Sequence, residues 1–301
     1  MKIVVVGNLA KRNEIKGKEK KTTLAGGSWF AALQAARIGH DVTLISKIAP
    51  NFPSSWIKRI ESEGIKLIKQ PAWEYTDYDI EYHKDDSKTV IVNSEAGPIM
   101  NVPKIDCDIA IITSYIGKIG LEVLKTLKKP ETEEEEGNLL ILDAQGFTKY
   151  VNPSGELAYV PWLDKEKFLD YTDILKLNTA ELYYLTGKST LASASDLINL
   201  GPKIIHLTMG EKGAHVFYSK KRNHLKIPVS EPKKFVDKLG VGDVYTSAFA
   251  IRYKETKDII ESVYYAAAAA SLCIEKENDK GIADSKKLEK RFKVLKDIFL
   301  I

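Results

Sequence analysis

Asp237-Lys238-Leu239-Gly240-Val241-Gly242-Asp243 stands directly before a helix-forming stretch from Val244 to Tyr253. Glycines at that place let Gly240, Val241 and Gly242 turn backbone N–H groups toward one point, where the positive end of the helix dipole adds its field. Such a turn suits phosphate oxygens. Asp243, at the same helix start, is expected to stay ionised because the dipole favours a carboxylate. A carboxylate beside a phosphate site can accept the proton of an attacking hydroxyl. Taken alone, a glycine turn with an acidic cap is the simpler account of the run.

Further candidates lie at expected strand ends. In Leu177-Asn178-Thr179-Ala180-Glu181, Asn178 could bond a phosphate oxygen and Glu181 could hold a hydrated Mg²⁺, although simple helix capping explains both. Thr208-Met209-Gly210-Glu211-Lys212-Gly213 is a tight turn whose glycines permit close backbone approach. Gly26-Gly27 opens the first helix and could cradle a polar ligand, while Trp29 and Phe30 read as core. Asp143 and Gln145, at another strand end, are expected to be exposed polar candidates. Other chemistries find no support. Tyr245 sits where a dinucleotide fingerprint needs its third glycine, and G-x-x-x-x-G-K-[ST], H-E-x-x-H and G-x-S-x-G are all absent.

The elements that must carry these residues follow from alternation of short β-branched runs with longer helical patterns, which predicts a mostly parallel sheet with helices on its faces. Strands are expected at 2–7, 41–47, 65–69, 109–113, 139–143, 174–177 and 203–208. Helices are expected from about Gly27 to Gly39 and near 53–63, 118–128 and 179–186, with nearly all-helical chain after 240. Two segments break the rhythm. Residues 11–24 are short, charged and threonine-rich, and 72–94 alternate polar with apolar side chains around a Lys84-Asp85-Asp86-Ser87 turn. Together they predict one small antiparallel sheet outside the main domain, a lid over a site or a dimer surface.

The chain has 301 residues, Lys+Arg 45 against Asp+Glu 41, and an apolar fraction of 44%. A net charge of +4 spread along the chain argues against a nucleic-acid binder, whose basic residues should cluster. Cys107 and Cys273 form neither a metal spacing nor a disulfide framework. The acidic run Glu131 to Glu136 reads as a solvated loop. With no targeting signal and no apolar run long enough for a membrane span, a soluble cytoplasmic protein is expected.

In chain order, these motifs resemble the ribokinase-like (PfkB) carbohydrate kinase family. Gly26-Gly27 is similar to its di-glycine, Asn178-Thr179-Ala180-Glu181 to N-x-x-E, Thr208-Met209-Gly210 with Gly213 to T-x-G-x-x-G, and Asp237 to Asp243 to D-T-x-G-x-G-D. The resemblance implies a single α/β domain over 1–301, a three-layer αβα sandwich with a small β lid at about 11–24 and 72–94. It implies transfer of the γ-phosphoryl of ATP to a hydroxyl of a small-molecule sugar or polyol, with Mg²⁺ as cofactor, a monovalent cation as an option, and a homodimer through the lid as another. By this likeness Asp243 is the base, and Gly240, Val241 and Gly242 form the anion hole. Asn178 and Glu181 serve phosphates and metal. Thr208, Gly210 and Gly213 contact the nucleotide, and Gly26, Gly27, Asn8 and Gln145 lie around the acceptor.

The acceptor region departs from the family's pattern. Asn8-Leu9-Ala10-Lys11-Arg12-Asn13 lacks the carboxylate that many members carry, and Gly26-Gly27-Ser28-Trp29-Phe30-Ala31 lacks a usual asparagine. Gly-Gly-x-x-Phe and Asp143-Ala144-Gln145-Gly146-Phe147 resemble the myo-inositol kinase-like branch of archaea and plants, which makes myo-inositol the leading acceptor. A nucleoside, ribose or sugar phosphate comes next. Lys11 and Arg12 fit an acceptor that already bears phosphate, and equally fit exposed charge on a lid strand. A non-catalytic nucleotide- or sugar-binding regulator is the rival from another class.

Overall fold

The computed structural model describes residues 1–83, 88–218, 223–227 and 232–299; the expected turn at Lys84-Asp85-Asp86-Ser87 lies outside them. The first strand, Lys2–Val6, explains the architecture. Ile3, Val4, Val5 and Val6 are all buried, and successive residues face opposite sides. Ile3 and Val5 join one hydrophobic cluster, Val4 and Val6 another. A strand apolar on both faces must be covered on both, as in parallel sheets.

That strand sits within a nine-stranded sheet. From one edge the order is Asn223–Ile227, Ala214–Tyr218, Ile204–Thr208, Ile174–Asn178, Leu139–Asp143, Ile109–Ile112, Lys2–Val6, Asp41–Ile48 and Lys66–Pro71. From Ile204–Thr208 onward all neighbours are parallel, and the first two strands, at the starting edge, pair antiparallel. Helices Gly27–Arg37, Val241–Thr256, Ile259–Ile274 and Ser285–Phe299 pack on one face, and Leu121–Leu127 and Thr179–Thr186 pack on the other. The result is the three-layer αβα sandwich. Among the described residues no helix is long and apolar enough to cross a membrane.

A separate four-stranded sheet stands where the lid is expected, in the order Glu19–Ala25, Ala10–Lys16, Thr76–Tyr82, Lys88–Ser94. It differs from the expected all-antiparallel sheet, because its two central strands run parallel, Ala10 opposite Thr76 and Arg12 opposite Tyr78. Both leave the main domain outward, one straight after the first core strand and one after Lys66–Pro71, so they point the same way. Trp73, counted in the expected alternation, precedes the lid strand and is 98% exposed. A short hairpin, Lys149–Val151 with Leu157–Tyr159, touches the lid through a Val92 N–H to Gly155 carbonyl bond of 2.8 Å.

Candidate active site

Thr113, Asp143, Asn178 and Thr208 stand at the carboxyl ends of four parallel strands, where open α/β sheets gather ligands. The helix Val241–Thr256 points its first turn at this row. Gly240 caps it at φ 72°, a left-handed conformation, and a Cβ there would lie 2.2 Å from the Phe30 ring. No other residue fits that corner. The N–H groups of Val241 and Asp243 bond to the carbonyls of Lys238 and Gly240. Among the described residues no backbone bond takes the N–H of Gly240 or Gly242, so both remain for an anion at the positive helix end.

Asp243 sits against Gly27, where a Cβ would come 2.4 Å from its Oδ1. Thr113 Oγ1 donates to the same oxygen at 3.1 Å. Burial, and then the charge of Asp143, push the Asp243 carboxyl up to about 6, against the opposing pull of Lys176 and Thr113. The sequence-based expectation of a dipole-held ionised carboxylate is therefore met only above that pH. Asp143, expected to be exposed, is 1% exposed and accepts a 2.9 Å bond from Lys176 Nζ. Burial works against the Lys176 ammonium, but Asp143, Glu181 and Asp243 outweigh it and raise its pKa. Lys176 Nζ would lie 3.4 Å from a Cβ on Gly242, which puts a fixed positive charge beside the anion turn.

Asn178 and Glu181 form a reciprocal capping box: Glu181 N–H donates to Asn178 Oδ1 at 2.9 Å, and the Glu181 carboxylate accepts from the N–H and Nδ2 of Asn178 at 2.8 and 2.7 Å. Glu181 is fully buried, and burial raises its carboxyl pKa while Lys176 opposes the rise. Asn8 lines neither of the site's cavities; its Nδ2 donates to the Gly97 carbonyl at 2.9 Å and ties two loops together. Gly26, at φ 106°, would collide with the Asn8 carbonyl if it carried a Cβ.

Two cavities meet at the anion turn. The larger, about 800 Å³, is bounded by Gly26, Gly27, Gln145, Gly240 and Asp243 on the body and by Arg12, Glu14, Tyr78 and Tyr82 on the lid. The smaller, about 360 Å³, is mostly apolar, with Tyr245, Ala267, Ala270 and Ile274 beside Thr208, Gly210, Gly213, Val241 and Gly242. Lys238 and Phe235 border both.

Several of these residues carry no motif. Lys176 had a legible signal, a lysine inside the apolar strand Ile174–Asn178, which can be buried only against a carboxylate. Arg12 was visible as a charge, but its burial was not. Thr113, and Tyr115 on the wall of the larger cavity, are marked by nothing in the local pattern.

A mostly parallel three-layer sandwich with a β lid, carrying a glycine anion turn and a carboxylate at one helix start, defines the ribokinase-like class. The chain belongs to the pfkB family of carbohydrate kinases, whose profile matches residues 2–285. It is 25% identical over 269 residues to a cytidine kinase of Thermococcus kodakarensis, covering 87% of this chain and 91% of that one. It is 31% identical over 163 residues to a ribokinase of Arabidopsis thaliana, covering 52% of this chain and 38% of that one. Among solved structures, a pyrophosphate-dependent kinase of the ribokinase family, complexed with a pyrophosphate analog and myo-inositol, superposes with a TM-score of 0.79 at 22% identity, covering 96% of this chain and 99% of that one. The Arabidopsis thaliana ribokinase with ribose and ATP gives 0.74 at 22%, covering 97% and 98%.

Proposed function

We propose that this kinase moves the γ-phosphoryl group of ATP to a hydroxyl of a sugar or polyol. The observation that carries the reading is the position of the Gly240–Gly242 turn, between a polar cavity that holds Asp243 and an apolar one suited to a nucleobase. The nucleotide lies in the smaller cavity against Thr208, Gly210 and Gly213. The acceptor lies in the larger, its hydroxyl at Asp243 with Gly26, Gly27 and Gln145 around it. Asp243 takes the hydroxyl proton, and the free N–H groups of Gly240 and Gly242 with Lys176 meet the charge on the phosphoryl oxygens.

The donor set suits Mg²⁺ arriving with the nucleotide. No cluster of three acidic, His or Cys ligands stands among the described residues, and Mg²⁺ commonly uses one or two carboxylates plus phosphates and water. Glu181 and Asp143, buried beside Lys176 and lining neither cavity, are the carboxylates that would take its waters from behind the turn. The ion would supply charge neutralisation on the phosphates.

Myo-inositol is the acceptor the motifs favour, and a structural neighbour binds it. A nucleoside is a second reading, favoured by the 800 Å³ cavity with Tyr78, Tyr82 and Tyr115 on its walls and by the relative named cytidine kinase. The test is Mg²⁺-dependent ADP release from ATP with myo-inositol, ribose, fructose, nucleosides and sugar phosphates, for the wild type and Asp243→Asn. Loss of the base should cut turnover by about 10²–10⁴ while nucleotide binding persists. Equal turnover in the variant would remove Asp243 from the mechanism.

A further inference from the structure

Arg12 and its neighbour Lys11 point to opposite faces of the lid strand Ala10–Lys16. Lys11 Nζ is satisfied by Asp77 Oδ2 at 2.8 Å. Arg12 turns inward to the larger cavity and is only 4% exposed. Its Nη2 donates to Glu14 Oε1 at 2.5 Å and to the Tyr82 hydroxyl at 3.3 Å. Its Nε and Nη1 are buried and have no partner. A guanidinium carries only donors, and donors shut away from water without an acceptor are costly. Glu14 reaches one nitrogen through one oxygen, so most of the fork is unmet.

Tyr78, Tyr82 and Tyr115 line the same cavity within the electrostatic reach of Arg12, and the Tyr82 hydroxyl donates to Glu14 Oε1 at 3.3 Å. Burial holds their phenols protonated, raising Tyr78 and Tyr82 and pushing Tyr115 up to about 12. Asp243 lines the same cavity from the body, and its charge reaches Tyr78. A ligand in the cavity therefore has a carboxylate on the body side and Arg12, with two nitrogens lacking acceptors, on the lid side. A hydroxyl would accept from Arg12 but bring a further proton to place, whereas an oxyanion brings acceptors alone.

We propose that Arg12 is the specificity residue of the acceptor site, and that the acceptor is a sugar or polyol bearing an anionic oxygen group, a phosphate or carboxylate, bound at the lid while its hydroxyl lies at Asp243. The proposal rests on the kinase reading above and narrows it, because the motifs alone rank neutral myo-inositol first.

The test compares kcat/KM for neutral and anionic forms of one carbon skeleton: ribose with ribose 5-phosphate, fructose with its monophosphates, myo-inositol with its 1-phosphate, and glucose with gluconate. The phosphate and gluconate arms separate the two oxyanion sources. In at least one pair the anionic member should lead by about 100-fold. Arg12→Gln should collapse that ratio to within a few-fold, and Arg12→Lys should restore part of it. Arg12→Gln/Glu14→Gln, which leaves no lone carboxylate, guards against misfolding and should show the same collapse. Neutral members used as well as their anionic partners in every pair, or a ratio unmoved by Arg12→Gln, would overturn the proposal while leaving the kinase intact. A free nucleoside as the best acceptor would overturn it in favour of a base-reading lid. If no acceptor yields ADP, the kinase reading fails, and calorimetric binding of the same sugar phosphates to Asp243→Asn with and without Arg12→Gln decides the role of Arg12 separately.

Discussion

The Asp243 carboxyl is pushed up to about 6, so the proposed base should make catalysis sensitive to mild acid. If Asp243 must be ionised to accept the hydroxyl proton, about 90% of the enzyme is competent at pH 7 and about 10% at pH 5, a tenfold loss of kcat/KM. An ordinary aspartate would lose almost nothing over that range. Thr113 gives the control that ties the limb to this group. Its hydroxyl donates to Asp243 and lowers the pKa, so Thr113→Val, nearly identical in shape, should move the acid limb to higher pH. The assay is initial-rate ADP formation at fixed Mg²⁺ between pH 5 and 8, with a buffer series of constant ionic strength. A titrating nucleotide phosphate would give the same limb in both proteins. A flat wild-type profile, or a limb that stays put in Thr113→Val, would refute the reasoning.

The same raised carboxyl sets a stability prediction. The fold prefers Asp243 protonated, so its charge begins to cost stability as pH rises past the ordinary 3.8, and the full cost is reached above about 6. Asp243→Asn should therefore melt higher than wild type at pH 7, by order 2 kcal/mol, with the gap closing below pH 4 in a thermal series. Lys176→Met strands Asp143 as a buried carboxylate and should destabilise by about 3–5 kcal/mol in urea titrations, with Asp143→Asn/Lys176→Met recovering much of the loss. Ala267→Leu fills the apolar cavity and should raise the KM for ATP about tenfold with the acceptor KM unchanged; equal changes in both would place the nucleotide elsewhere.

The sequence carries the body of the fold well, because its strands are apolar on both faces and its helices are punctuated by strong signals. Thr179–Thr186 falls where Asn178 and Glu181 cap it and Gly187, in the left-handed region, stops it. The lid is harder. Alternation along 76–82 says that one face is buried, but strand direction depends on where the chain re-enters, which no local pattern records. Ala214–Tyr218 and Asn223–Ile227 escape notice since their pairing is with each other and with Ile204–Thr208 at the sheet edge. The anion turn is legible because glycine is demanded by backbone geometry. Lys176, Arg12 and Thr113 act through neighbours 33, 70 and 130 residues away, and such distances are settled only by folding.

The two cavities draw on different stretches of chain. The apolar one is walled by the turn after Ile204–Thr208 and by the helix Ile259–Ile274, the polar one by the lid strands and the first helix, and the segment 235–243 is where they adjoin. Substitutions that retune one wall need not disturb the other. On the proposed division of the two cavities, selection can retune the acceptor wall largely through the lid strands and the first helix, and the donor wall through the last hundred residues, as two largely independent inheritances joined at one turn.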